Sequence, residues 1–287
     1  MSAKQLQERF TEFQNIKFNT IRSITDAIIE STIQFFYNNS KNQIILTGSG
    51  VLFEIDNRYF VFSAAHVFPE KINDTFFIIP YEAIYLGGKL YTVSLPKSGN
   101  RIDDKIDLAV IELRSDIVTK LKAEYKFHSF RDILLEHTLD KYHRYLSVGY
   151  PSTKTKMEWK KPIIKTEPFV FNSKPATNFE YESFGFNFNH HIAIEFTGHI
   201  MSERSLQTTA APELEGISGS GMWYLPKFPE IDKVQTKKLI GITIERVNKP
   251  RNQALVATRI DLITEFLRQY LNLKIIPPSK KIKINIK

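Results

Sequence analysis

Three short stretches of the chain carry side chains able to do nucleophilic chemistry. The first is Gly216-Ile217-Ser218-Gly219-Ser220-Gly221, a serine set among small residues. Glycines there let the backbone turn sharply and let another molecule approach Ser218 closely. The second, Phe62-Ser63-Ala64-Ala65-His66-Val67, places a histidine just past the apolar run Tyr59 to Phe62. The third, Asp107-Leu108-Ala109-Val110-Ile111-Glu112-Leu113, puts an aspartate at the head of an apolar, β-branched run. Alone, each has a plain structural reading: a Gly-Ser turn before a strand, a packed or solvated histidine, an aspartate in a turn. Together they supply a hydroxyl, a base and a carboxylate. A serine hydroxyl is a weak nucleophile at neutral pH and needs a neighbouring base.

The chain order is His, Asp, Ser. It is neither the Ser-first order of α/β-hydrolases nor the Asp-first order of subtilisins. The position four after Gly216 is Ser220, which also breaks the G-x-S-x-G spelling. The chain resembles the trypsin-like serine proteases of chymotrypsin fold. Ser63-Ala64-Ala65-His66 is similar to that family's Thr-Ala-Ala-His, and Asp107-Leu108-Ala109-Val110 to its Asp-Ile/Leu-Ala-Leu/Val. Gly216-Ile217-Ser218-Gly219-Ser220 is similar to Gly-Asp-Ser-Gly-Gly/Ser, and Leu239-Ile240-Gly241-Ile242 to the strand that follows the nucleophile. The likeness runs from about residue 31 to about 271.

That resemblance implies a serine endopeptidase without metal or cofactor. His66 would be the base, Asp107 its orienting carboxylate and Ser218 the nucleophile, with the backbone amides of Gly216 and Ser218 as the oxyanion hole. Ile217 stands where secreted trypsins have the aspartate that pairs with a newly cut N-terminus, so activation by such a cut is not expected. Ile244 replaces the family serine that bonds the catalytic aspartate, which leaves the partner of Asp107 open. The specificity pocket would be walled by Pro212 to Glu215 and by Ile244, Glu245 and Arg246. There Glu213 and Glu215 could favour a basic residue before the scissile bond.

Hydrophobic content of 42% and charged content of 24% are those of an ordinary globular protein. The chain has no cysteine, whereas secreted trypsins usually carry disulfides. With no apolar core in the charged stretch Met1 to Asn19, this gives the expectation of a cytoplasmic protein. No window approaches the about 18 apolar residues of a membrane span. The net charge of +8 gathers at Lys154 to Lys165, Lys233 to Arg251 and the tail. Such patches attract phosphates, but no nucleic-acid motif accompanies them and solvated loops are the reading preferred. His190, His191 and His199 lack a metal-site spacing and are read as structural. The partner expected is a protein substrate. A cytosolic trypsin-like enzyme with a helical extension also resembles effectors of bacterial stress or antiphage systems, switched on by a partner. The rival class is a silent protease fold kept for peptide binding or scaffolding.

The elements that must position these groups read as all-β, two six-stranded antiparallel barrels with a helix at each end. Residues 1–30 form a helical extension, with Leu6, Phe10, Phe13 and Ile21 on one face and a second start near Ser23 or Thr25. That face packs on the body or offers a docking surface to an activating partner. Residues 31–125 form the first barrel, carrying His66 and Asp107, with strands at Thr75–Ile79 and Tyr91–Leu95 among its six. Gly48-Ser49-Gly50 lies between strand-like runs and reads as a strand bend, not a phosphate cradle. Residues 126–272 form the second barrel, with Ser218, a helical connection at Phe130–Leu139, a strand at Phe184–Phe188 and a closing helix at Ile260–Leu271. Residues 273–287 form a basic tail.

Overall fold

A computed structural model describes residues 2–68, 74–79, 82–94, 96, 98–158, 163–196, 199–201, 208–210, 214–226, 228, 236–250 and 252–277. The chain opens with helix α1 (Ala3–Ile29), whose Ser2 and Gln5 form a reciprocal capping box. The helix is continuous where a second start near Ser23 or Thr25 is expected, because nothing between Leu6 and Ile28 breaks it: no Gly or Pro falls in that span. Only its last turns dock. Ile24 and Ile28 are buried, while Leu6, Phe10 and Phe13 on the same stripe are exposed.

The first sheet contains β1 (Thr32–Asn38), β2 (Ile44–Ile55), β3 (Arg58–Ala64), β4 (Thr75–Ile79), β5 (Glu82–Tyr85), β6 (Gly88–Thr92), β7 (Leu108–Leu113) and the two-residue β8 (His128–Ser129). Its order is β5-β4-β1-β2-β3-β7-β6, all antiparallel, with β8 beside β2 in parallel. The sheet thus holds eight strands where six are expected; β5 and β8 are short additions that the apolar pattern does not announce. Asp56 and Asn57, both at positive φ, make the two-residue turn joining β2 to β3.

The second sheet is built from β9 (Arg144–Gly149), β12 (Phe169–Ser173), β13 (His191–Glu195), β16 (Gly221–Leu225), β17 (Lys238–Lys249) and β18 (Asn252–Arg259). Its order, β12-β9-β16-β17-β18-β13, gives the six antiparallel strands expected. Two small ribbons interrupt the sequence, β10 (Thr155–Glu158) with β11 (Ile163–Thr166) and β14 (His199–Met201) with β15 (Thr208–Ala210). Helix α2 (Ser115–Glu124) follows β7 and buries Ile117, Val118 and Leu121. Helix α3 (Ile260–Tyr270) follows β18.

Two local readings are corrected. The helix expected at Phe130–Leu139 is a single 3-10 turn at Phe130–Asp132, closed by a Ser129–Asp132 capping box. Beyond it Ile133 bridges Leu239, and the Leu134 N–H bonds the Leu239 carbonyl at 3.0 Å, so the chain is taken up as an extended arm of the second sheet. The strand expected at Phe184–Phe188 is replaced by a 3-10 turn at Glu182–Phe184 ending in left-handed Gly185; Phe184 stacks on Phe179, and Phe186 packs tilted against the same ring.

Strand alternation explains the core. In β3, Phe60 and Phe62 face one cluster and Val61 the other, as a period of two requires. The first cluster joins the sheets: Val51, Phe53 and Val110 meet Leu146, Val148, Trp223 and Ile242, and α3 adds Ile263, Phe266 and Leu267. The sheets are therefore welded by buried apolar surface, at roughly 25 cal/mol per Å², and loops at their seam are held in register.

Candidate active site

His66 and Asp107 both come from the first sheet. β3 ends at Ala64 and the chain turns at once into a 3-10 turn, Ala65–Val67. β7 lies beside β3, with Ala64 opposite Leu108, so the residue before β7 falls next to that turn. Asp107 sits at φ +47, in the left-handed region that aspartate tolerates better than most residues. This backbone setting brings three acceptors to the turn at Ala65 and His66. The Asp107 carbonyl accepts from the Ala65 N–H at 2.9 Å. Its Oδ1 accepts from the His66 N–H at 2.9 Å and its Oδ2 lies 2.5 Å from His66 Nδ1. The backbone amide of His66 is thus the donor that Ile244 cannot supply.

The preceding loop is fixed by its own network. Asp104 accepts from Ser94 Oγ and from Arg101, each at 2.6 Å. The second sheet also reaches across, through Thr258 Oγ1 to the Ile106 carbonyl at 2.7 Å and His191 Nε2 to the Lys105 carbonyl at 2.6 Å. His191 is buried, and its Nδ1 accepts from the Asn187 N–H at 3.0 Å, so both ring nitrogens serve structure.

Ser218 comes from the second sheet, in the tight loop before β16. The Ile217 N–H bonds the Leu214 carbonyl at 3.0 Å, and the Ser220 N–H bonds the Ile217 carbonyl at 3.0 Å. Gly216 and Gly219 take φ values of +91 and +85, which glycine alone adopts cheaply. The N–H groups of Gly216 and Ser218 bond no acceptor among the described residues. Below the loop Ser147 Oγ lies 3.3 Å from Ser220 Oγ and 3.2 Å from Thr243 Oγ1, all buried.

The first sheet clamps this loop from the other side. Ser49 donates its N–H to the Ser218 carbonyl at 2.8 Å and its Oγ to the Gly216 carbonyl at 2.9 Å. Ser63 Oγ in turn donates to the Ser49 carbonyl at 2.7 Å. Gly48-Ser49-Gly50 lies inside β2, next to the register shift against β1, and it is more than a bend. A methyl group on Gly48 would lie 2.8 Å from the Ser218 carbonyl oxygen. Its glycine is required by the approach of the other sheet.

Gly219→Ala is therefore expected to be severe. Its added methyl would lie 2.0 Å from the Ser49 carbonyl oxygen and 2.2 Å from Ser63 Oγ, at a positive φ. We expect a loss of about 2–4 kcal/mol in stability, the range for backbone strain combined with core overpacking. A chemical denaturation curve superimposable on wild type would refute this account of the clamp.

The Ser218 hydroxyl donates to the Ile244 carbonyl at 3.3 Å, and among the described residues no hydrogen bond joins it to His66. Burial lowers the His66 pKa, but the hydrogen bond and charge of Asp107, with a smaller pull from Glu245, outweigh it and leave the imidazole above its ordinary value. Burial raises the Asp107 carboxyl, against the contacts with His66.

Of the residues expected to line a pocket, Ile244 is buried, Glu215 is exposed and Glu245 pairs with Lys105 at 3.0 Å. Arg246 lies over the Phe196 ring, its Cζ 4.6 Å from the centroid. Pro212 and Glu213 fall outside the described residues, as do Lys160, Lys161, Lys233, Lys280, Lys281, Lys283 and Lys287. Among the described residues no helix is long and apolar enough to cross a membrane, and no cluster of His, Asp or Glu is arranged to hold a metal ion.

No protein-family model and no curated protein matches the chain. Among solved structures it is similar to neuropsin, a serine protease expressed in the limbic system of mouse brain, at 14% identity. The similarity covers 83% of this chain and 93% of that one, with a TM-score of 0.49. A likeness this distant assigns no activity, and a functional reading of the chain has to come from the two sheets and the residues at their seam.

Proposed function

We propose that the chain is a serine endopeptidase that cleaves a protein substrate through His66, Asp107 and Ser218. The observation that carries this reading is the seam itself: a buried carboxylate fixes an imidazole by Nδ1, and the same sheet clamps the loop that bears the serine. With Nδ1–H donated to Asp107, the lone pair of His66 sits on Nε2, the atom a base must use. The reading requires Ser218 Oγ to turn from the Ile244 carbonyl and give its proton to that lone pair. Attack on a peptide carbonyl then forms the Oγ–C bond, and the proton passes to Nε2. The oxyanion would be met by the Gly216 and Ser218 amides, worth about 3 kcal/mol per donor at such sites. His66 returns the proton to the leaving amine as the C–N bond breaks, and water releases the acyl group by the reverse sequence.

Ile217 packs with Leu214 and Leu255, so apolar burial takes the place of an ion pair to a new N-terminus. We assign the protein a cytoplasmic role on a dedicated target. A second reading, a protease fold kept for binding, is favoured by one observation, the turn of Ser218 toward Ile244. Intact mass after reaction with a fluorophosphonate separates the two. One adduct mapped to Ser218 supports catalysis, and none on folded protein leaves the binding reading.

The same probe tests the state of His66. Only the neutral ring is a base, so labelling slows as pH falls through its pKa. That pKa is raised, so the midpoint of the acid limb is expected above the ordinary histidine value of about 6.5. A midpoint at or below that ordinary value would mean that the Asp107 contact does not charge-stabilise the ring.

A further inference from the structure

Sheet register separates two neighbours that the sequence sets side by side. Glu245 pairs with Val256 and Arg246 with Leu255, so their side chains leave β17 on opposite faces. Glu245 takes the face of Val247 and Val256, where Lys105 holds it. Arg246 takes the face of Leu255, which packs in one apolar cluster with Leu214, Ile217 and Phe196. Leu214 and Ile217 belong to the loop that carries Ser218. The Ser218 hydroxyl itself reaches the Ile244 carbonyl, two residues from Arg246.

This cation is poorly compensated. Its Nε is buried without a hydrogen-bond partner, and among the described residues no carboxylate forms an ion pair with it. The face of Phe196 supplies a cation–π contact. A guanidinium still favours a bidentate anion, and more so where water is excluded. Access for a peptide is also present. β16 pairs with β17 only as far as Ile242, whereas β18 follows β17 to Lys249. From Ile244 onward the other edge of β17 is open among the described residues, and an extended peptide can add there as a strand.

We propose that Arg246 is a specificity-determining residue that selects an acidic side chain, Asp or Glu, immediately before the scissile bond. The proposal rests on the reading of Ser218 as the nucleophile. A strand laid along Ile244–Val247 with its reacting carbonyl at Ser218 would set that side chain on the face of β17 that carries Arg246, the face of Leu255. The expectation of a basic residue, drawn from Glu213 and Glu215, is thereby reversed: Glu215 is exposed, and the charged side chain on the Leu255 face of β17 beside this loop is that of Arg246.

The test uses three peptide diphenyl phosphonates that differ only in having Glu, Ala or Lys at that position. Each rate is taken relative to a small fluorophosphonate on the same protein. For wild type we expect Glu to label about tenfold faster than Ala, with Lys slowest. Arg246→Gln should bring Glu and Ala within about twofold, and Arg246→Glu should favour Lys. Lys labelling as fast as Glu, or an unchanged Glu-to-Ala ratio in Arg246→Gln, would overturn the proposal. If the small fluorophosphonate itself fails to label, it is the catalytic reading that fails. Binding then decides for Arg246, using Ser218→Ala protein and hexapeptides ending in Glu, Ala or Lys. Tighter binding of the Glu peptide, lost on adding Arg246→Gln, supports the assignment, and equal binding of all three overturns it.

Discussion

Ser218→Ala is expected to abolish fluorophosphonate labelling and to lower peptide turnover by about 10⁶-fold, the scale of nucleophile loss in serine proteases. The substitution removes one hydroxyl whose bond in the free protein is a 3.3 Å contact with the Ile244 carbonyl. Stability should therefore change little, and the loss is chemical. His66→Ala is expected to reach a similar level, because an unassisted hydroxyl at neutral pH gains nothing from its position alone. The informative measurement is the double variant. If Ser218 and His66 act on one proton, Ser218→Ala/His66→Ala should be no slower than either single change, since groups that work as a unit do not add. Losses that multiply, or turnover within tenfold of wild type in either single variant, would place the chemistry elsewhere. If the triad is the mechanism, the turnover left in these variants comes from amide donors and binding alone.

The sequence made some of this legible and hid the rest for physical reasons. His66 and Asp107 stand out because each adjoins a strand whose apolar run is unmistakable, and the ends of paired strands are neighbours in space. Asp107 at the head of β7 and His66 at the foot of β3 needed only the β3–β7 pairing to meet. Ser218 stands out through glycines that its loop geometry requires. What holds that loop was not legible. Ser49 and Ser63 are separated from it by more than 150 residues, and the Ser49 bond to Gly216, which Ser63 supports from within the first sheet, depends on how the two sheets meet. Gly48-Ser49-Gly50 gave a signal, but a local one, compatible with any bend.

One element went unread and one was misread, each for lack of contrast. α2 buries three apolar residues among charged ones, a stripe too short to stand out. Ile133, Leu134 and Leu135 look helical as a run, yet the second sheet offers Leu239 as a partner and wins. The facing of Arg246 was hidden by a register shift between Thr243 and Glu245. An inserted residue resets strand alternation, so counting by twos from Ile242 does not tell which wall Glu245 and Arg246 occupy.

Asp107→Asn is expected to lower turnover by about 10⁴-fold while leaving the fold intact. The structural half of this follows from the contacts. Asparagine accepts the left-handed backbone at this position nearly as readily as aspartate. Its carbonyl oxygen can still take the His66 N–H now bonded at 2.9 Å. The amide nitrogen then faces His66 Nδ1, where only an acceptor of its proton will be satisfied. The ring must present a lone pair at Nδ1 and carry its proton on Nε2, the wrong tautomer for a base. Loss of the charge also withdraws what holds the imidazole above its ordinary pKa, against the lowering by burial. The acid limb of the labelling profile should therefore move to lower pH even as the plateau drops. The two signatures are independent, one a rate and the other a midpoint. A large rate loss with an unmoved midpoint would mean that Asp107 positions the ring without polarising it. A loss below tenfold, with the thermal midpoint unchanged, would remove Asp107 from the mechanism and leave its left-handed backbone as a device for closing the turn at His66.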